Sequence, residues 1–296
     1  MFLIDTLPAA VPGLVASYLI KGEKTALVDA GHATSADIIL SELRGLDAHA
    51  WPVDYLIPTH VHLDHAGAIG RLASAMPQAR VLVNEHGAKH LVDPSKLIEW
   101  QARLFGRESL SIFGTPLAVP RKRIEAIGEG YDLDLGDDKT LRLFWTPGHA
   151  PHHMSILLKD QHLLMTGDAV GVRYPGFDFP IPVTPPPSFD EDLYVRTLGQ
   201  IRDIRPAGLL LPHFGPVLDG TNEFLQSNLE TTGRWGRRVS EAVEAEEPLN
   251  QVCEFFVTDV AHRARKSREE IPDHIIQGIK LSAAGYYSYA QKKRAG

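Results

Sequence analysis

The residues that most restrict this chain lie between positions 53 and 65. Val53-Asp54-Tyr55-Leu56-Ile57 reads as a buried strand. It runs straight into Pro58-Thr59-His60-Val61-His62-Leu63-Asp64-His65, where four metal-capable side chains fall within one six-residue window. Imidazole and carboxylate are the ligands that a borderline cation such as zinc takes from a protein. A strand ending in such a cluster delivers it to the rim of a sheet, where a second cation is also within reach.

The neighbouring segments supply that sheet. Leu14 to Ile20 and Thr25 to Asp29 read as strands joined by the turn Lys21-Gly22-Glu23-Lys24. Ser35 is placed to cap a helix through Leu43, whose apolar face is Ile38, Ile39, Leu40 and Leu43. Ala66 to Met76 reads as the helix after the cluster and Ala79 to Asn84 as the next strand. Strand, cluster, helix, strand is a βαβ rhythm with a right-handed crossover. From about 85 to 130 the pattern becomes helical, over His86 to Leu91 and Pro94 to Phe105, as an insertion able to wall the site. Strands return at Tyr131, Leu141 to Trp145, Ser155 to Leu158, His162 to Met165 and Gly208 to Leu211. A proline-crowded loop spans Tyr174 to Pro187 and a helix spans Asp190 to Ile204. After about 220 the sequence is helical: 223–243, 249–265 and 275–292. The expected organisation is therefore a catalytic domain over 1–220 and a helical region over 221–296.

Composition removes several classes. A net charge of -7 disfavours a protein built to grip nucleic acid or an anionic membrane. No segment approaches the roughly 20 uninterrupted apolar residues of a membrane span. The single cysteine, Cys253, forms no internal disulfide and reads as a packed thiol. The start shows no charged leader before a long apolar run, so the expected location is cytoplasmic.

Three further candidates share one local setting, an apolar run, a tight turn, then a ligand: His149 after Thr146-Pro147-Gly148, Asp168 after Thr166-Gly167, and His213 after Leu211-Pro212. Together the seven offer five imidazoles and two carboxylates, enough for two cations sharing a water.

The order Thr-His-x-His-x-Asp-His, Pro-Gly-His, Gly-Asp and a late His resembles the metallo-β-lactamase-fold hydrolases over roughly residues 1–220. The resemblance implies an α/β (α+β) fold, a four-layer αββα sandwich, here with a C-terminal helical extension. It implies that His60, His62 and His149 hold one metal, that Asp64, His65 and His213 hold the other, and that Asp168 bridges. The cofactors it implies are two divalent metal ions, with zinc expected and iron or manganese tolerated by the same donors. The chemistry is a metal-bridging hydroxide attacking an ester, lactone or thioester of a small-molecule substrate.

Two features narrow the class. Asp168 is unlike the true β-lactamases of this fold, and His62 stands where flavodiiron proteins carry glutamate. The run Thr146 to Ser155 is similar to that of glyoxalase II, although the tail lacks the basic and Asn-Pro-Phe pattern of a glutathione thioester site. A mononuclear iron persulfide dioxygenase has a closely similar ligand set. A phosphodiester hydrolase and a non-catalytic partner-binding protein also stay open on sequence grounds. A homodimer through the C-terminal helices is compatible with the sequence.

Around the ligands, Asp64 is expected to share in proton transfer to the leaving group and Asp168 to steer the water. Tyr174 and Tyr194 are candidate donors to a developing oxyanion, or else aromatic packing groups. His32 and His152 are open between substrate contact and a structural role. His153 matches a non-ligating family histidine, and Asp29 is favoured as a group that orients a ligand. Trp100, Phe105, Phe113, Phe177 and Phe179 are candidates for an apolar pocket or for the core.

Overall fold

The computed structural model describes residues 1–46 and 52–295. The chain divides into two compact units: Met1–Trp145, His152–Gly167 and Ala207–Val217 form one, while Thr146–Pro151, Asp168–Pro206 and Leu218–Gly296 form the other.

The first unit contains two six-stranded sheets among its described residues. One runs β1 (Phe2–Asp5), β2 (Ala16–Lys21), β3 (Thr25–Val28), β4 (Tyr55–Ile57), β5 (Arg80–Asn84) and β6 (Ile124–Ile127), adjacent in that order. The first two pairings are antiparallel, with Tyr18 opposite Val28, and the remaining three are parallel, with Val28 opposite Ile57. The other sheet holds β7 (Gly130–Asp134), β8 (Thr140–Trp145), β9 (Met154–Leu158), β10 (Leu163–Met165), β11 (Gly208–Leu211) and β12 (Gly215–Val217), with β11 parallel to β10 and every other pairing antiparallel.

Strand alternation explains two separate cores. Tyr18, Ile20, Ala26, Val28, Ile57 and Leu82 turn one way and meet Leu141, Leu143, Met154, Ile156, Leu158 and Leu210 of the second sheet. Leu19, Leu27, Leu56, Val81 and Val83 turn the other way, onto a layer of helices. Both faces of the first sheet are thus buried, which is why its parallel strands read as nearly unbroken apolar runs.

The helices of that layer are α1 (Ser35–Gly45), α2 (Leu63–Ala66), α3 (Ile69–Ala75), α4 (Glu85–Val92), α5 (Ser95–Phe105) and α6 (Ser109–Phe113). Ile39 and Leu43 of α1, Ile69 and Leu72 of α3, and Leu91 of α4 fill the core at helical spacing. Each such side chain contributes about 1.5–3 kcal/mol on leaving water.

Three expectations need correction here. Ser35 is not the cap of α1 but its first residue, with Thr34 in the cap position and no side-chain capping bond. The Thr34 hydroxyl is instead directed to Phe113 O, 3.4 Å away. The helix expected over 66–76 is α3 and begins only at Ile69, with the short α2 before it parted from it by Gly67 and Ala68. The helical stretch after Glu85 ends at Phe113, and Ile124–Ile127 form the edge strand β6.

The second unit carries α7 (Glu191–Ile204), α8 (Thr221–Glu244), α9 (Leu249–Ala264) and α10 (Asp273–Ala295). Asp190 caps α7, accepting from Leu193 N at 2.9 Å. Trp235 of α8 stacks on Phe256 of α9 at 3.9 Å, and Tyr286 of α10 packs edge-on at 5.7 Å from the same ring. These aromatics are fully buried and hold the three long helices together. Among the described residues no helix is long and apolar enough to cross a membrane.

Candidate metal centre

In an open parallel sheet, functional groups collect beyond the carboxyl ends of the strands. Asp29 follows β3 directly, and the histidine cluster follows β4. In the other sheet of the same unit, β11 ends two residues before His213.

Asp29 organises the candidate ligands of the first unit. Its backbone adopts φ 56°, a left-handed conformation that Asp tolerates better than most side chains. The buried carboxylate accepts from Thr59 N at 2.7 Å and Thr59 Oγ1 at 2.9 Å. It also accepts from His65 Nδ1 at 3.1 Å. Because the Thr59 hydroxyl donates to Asp29, it acts as acceptor toward His60 Nδ1, 3.1 Å away. This network assigns the ring protons of both His60 and His65 to Nδ1 and turns their Nε2 lone pairs toward the site. His213 repeats the pattern, with Nδ1 2.6 Å from the carbonyl of Leu14.

The consequence is a convergence of acceptors. His65 Nε2 and His213 Nε2 lie 3.2 Å apart, and Asp64 Oδ2 is 3.6 and 3.5 Å from them. The three ligand atoms all fall within 4.8 Å of one another. Two lone pairs and a carboxylate facing one another repel unless a cation sits among them. A tetrahedral ion with Zn–N bonds of ~2.0–2.1 Å sets its ligand nitrogens about 3.3–3.4 Å apart, so this donor set fits such an ion. His60 Nε2 and His62 Nδ1 form a second close pair at 2.9 Å. The His62 ring lies flat against Trp100 of α5, at 5.3 Å and 7°.

In the second unit, Pro147-Gly148 bends the chain after β8. Gly148 has φ 125°, and a Cβ there would sit 2.4 Å from the Tyr194 backbone, so only glycine fits. Thr197 Oγ1 and Asp190 N hold the turn by donating to Pro147 O and Gly148 O. His149 Nδ1 then reaches Val183 O at 2.8 Å, and its Nε2 lies 3.5 Å from Asp168 Oδ2. Here too Nδ1 donates to an oxygen while Nε2 turns toward a carboxylate.

The remaining candidates divide. His152 Nδ1 accepts from Val61 N at 3.4 Å, and its ring stacks 6.1 Å from that of His60. His153 is buried with its ring 5.0 Å from His60. His32 stacks on Phe113 at 4.2 Å; burial pushes its pKa down to about 4, against the pull of Asp64. Tyr194 is fully buried, its hydroxyl 3.4 Å from Asn228 Nδ2, and burial raises its pKa. Tyr174 is half-buried beside His274. Phe177 and Phe179 are buried against each other, whereas Phe105 is 49% exposed. Cys253 is half-buried, its thiol 3.8 Å from Lys280 O and its pKa raised by burial. Sequence reasoning missed the carbonyls of Leu14 and Val183, which carry no side-chain signal, and the role of Thr59, visible only as the residue before His60.

Sheets, helices and converging imidazoles define an α/β protein with metal-binding His/Asp clusters. The family model of the metallo-beta-lactamase superfamily matches residues 10–213, and the chain belongs to that superfamily. It is 31% identical over 214 residues to the metallo-beta-lactamase fold-containing protein ST1585 of Sulfurisphaera tokodaii, covering 71% of this chain and 76% of that one. The crystal structure of ST1585 superposes with a TM-score of 0.66, at 29% identity over 78% of this chain and 84% of that chain. The metallo-beta-lactamase family protein TTHA1429 of Thermus thermophilus shares the fold over 99% of this chain and 94% of its own, with TM-score 0.64 and 23% identity. The flavo-diiron protein FprA2 of Clostridium acetobutylicum is 26% identical over 160 residues, 53% of this chain and 34% of its own. Members of the superfamily are mostly metal-dependent hydrolases and usually bind divalent metals.

Proposed function

We propose that this protein is a cytoplasmic dinuclear metal-dependent hydrolase of a small-molecule ester, lactone or thioester. The reading is carried by one observation: His65 and His213 turn two Nε2 lone pairs on each other at 3.2 Å beside Asp64. His60, His62 and His149 would hold one ion, Asp64, His65 and His213 the other, with Asp168 shared between them. Bound there, two divalent cations, zinc by the donor set, supply Lewis acidity and lower the pKa of water towards neutrality.

The chain's own residues supply orientation and proton handling. Asp29, Leu14 O and Val183 O hold His65, His213 and His149 with Nε2 forward. Asp64, its side chain 35% exposed, is placed to pass a proton to the leaving group. Asp168 orients the attacking water. Tyr174 is the better oxyanion donor of the two phenols, since Tyr194 is fully buried. Trp100, flat against His62, walls the substrate pocket.

Likeness to FprA2, a flavo-diiron protein by name, keeps iron as a metal for these donors, and a mononuclear iron persulfide dioxygenase is the second reading. Metal content per chain, followed by turnover of esters, lactones and thioesters with metal-stripped protein as control, tests both. Two zinc ions and hydrolysis support the first. One iron with oxygen uptake on a persulfide replaces it with the second.

A further inference from the structure

The residues assigned above leave His32 without a task, although the fold holds it firmly. It stands in the turn after β3. A Cβ at Gly67 would come 2.9 Å from His32 Cα and 2.8 Å from Ala33 N, so only glycine lets the chain between α2 and α3 lie against this turn. From the other side α6 closes on it. Thr34 N donates to Phe113 O at 3.1 Å, and the Phe113 ring stacks on the imidazole at 4.2 Å and 22°. Within this clamp His32 Nδ1 is buried and has no hydrogen-bond partner among the described residues, while the residue as a whole keeps part of its surface open.

A buried orphan N–H is rarer in proteins than a buried orphan lone pair. The ring therefore carries its proton on Nε2, the one ring nitrogen able to meet a ligand. Ala30 N donates to His65 O at 2.8 Å and Ala68 N to Gly31 O at 3.2 Å, so the turn that carries His32 lies against the chain at His65 and borders the set Asp64, His65 and His213. A fixed N–H donor beside a cation site suits an oxygen acceptor and rejects an ammonium group.

We propose that His32 is a substrate-binding residue, its Nε2–H donating to the carbonyl or carboxylate oxygen of the acyl group held beside Asp64, His65 and His213. The acceptor's identity rests on the hydrolase reading; the donor does not. Imidazole ¹⁵N spectra of the metal-loaded protein test this, with 4-hydroxybutyrate, the ring-opened form of γ-butyrolactone, as the probe. The expected result is a His32 Nε2–H tautomer whose Nε2 resonance shifts when the probe is added. His32→Phe, which keeps the stack on Phe113, weakens the probe's Kd about tenfold, the loss of one hydrogen bond, at unchanged metal content. His32→Gln, which restores an N–H donor, recovers part of that loss. An Nδ1–H tautomer, an unaltered Kd in His32→Phe, metal loss from that variant, or no probe binding to the wild type would each overturn the proposal. Turnover of the ester, lactone and thioester panel is scored separately: its absence removes the hydrolase reading and leaves the tautomer and probe results to decide His32.

Discussion

The rim of the two sheets and the bundle of α8, α9 and α10 both bury polar side chains, and they satisfy them in opposite ways. In the bundle Asp259, Arg234, Trp235 and Arg263 find matched partners. Asp259 accepts from Trp235 Nε1 at 2.9 Å and from Arg234 at 2.8 and 3.1 Å, and Arg263 donates to Thr231 and Ser227. At the rim, anchoring Nδ1 of His65 and of His213 leaves their Nε2 atoms facing each other and a carboxylate. A matched network stabilises by itself, whereas converged acceptors are stabilised by an added cation. The bundle is built for stability and the rim for a ligand.

The contrast can be broken by substitution. Asp168→Ala should lower kcat/KM by roughly 10³-fold or more, the scale of removing a preorganised charge from a reacting centre, with a modest change in Tm. Full activity in that variant would refute the dinuclear reading. Trp235→Ala should do the reverse, lowering stability in denaturant by about 3 kcal/mol through the cavity left beneath Phe256 and Tyr286, while the folded fraction keeps its kcat. A kcat loss at constant metal content would mean the bundle takes part in the chemistry.

Asp29→Asn separates positioning from ligation. Asn accepts the positive φ at this position but not the charge-assisted bond to His65, so metal affinity should fall roughly 10–100-fold. Titration with a competing chelator measures it, and an unchanged affinity would remove Asp29 from the account.

The bundle also borders one imperfectly matched charge. Burial first, then the charges of Asp192 and Asp190, raise the Glu191 pKa to about 7, against Lys293. Between pH 4.5 and 7 the native state binds more protons than the unfolded chain, so this residue's contribution to stability is present below that window and lost as pH rises through it. Glu191→Gln should therefore stabilise by about 1 kcal/mol at pH ~8, after discounting for partial exposure, and change little below the window. Melting curves at the two pH values check it; equal effects at both would show the carboxyl to be solvated. The smallest effect belongs to Arg268→Ala, which breaks an exposed ion pair with Glu254 and should change stability by less than about 0.5 kcal/mol.

Much of this was legible in the amino-acid order. Strand periods, the Gly148 and Gly167 turns and the spacing of His60, His62, Asp64 and His65 predict a sheet rim bearing metal ligands, and the family's fold followed from that order. Local errors came where distant residues intervened: Thr34 turns from capping α1 towards Phe113, and Ile124–Ile127 leave the helical insertion to complete a sheet edge.

Sequence alone determined the donor chemistry and the order in which strand ends present it, because ligand type and turn chemistry are local properties. Only the tertiary structure decided that His60, His65, His149 and His213 anchor Nδ1 and turn Nε2 to another candidate ligand. That choice belongs to Asp29, Thr59, Leu14 O and Val183 O, two of them backbone atoms that any residue supplies. Ring orientation is set by what packs behind the imidazole, and no local pattern encodes that.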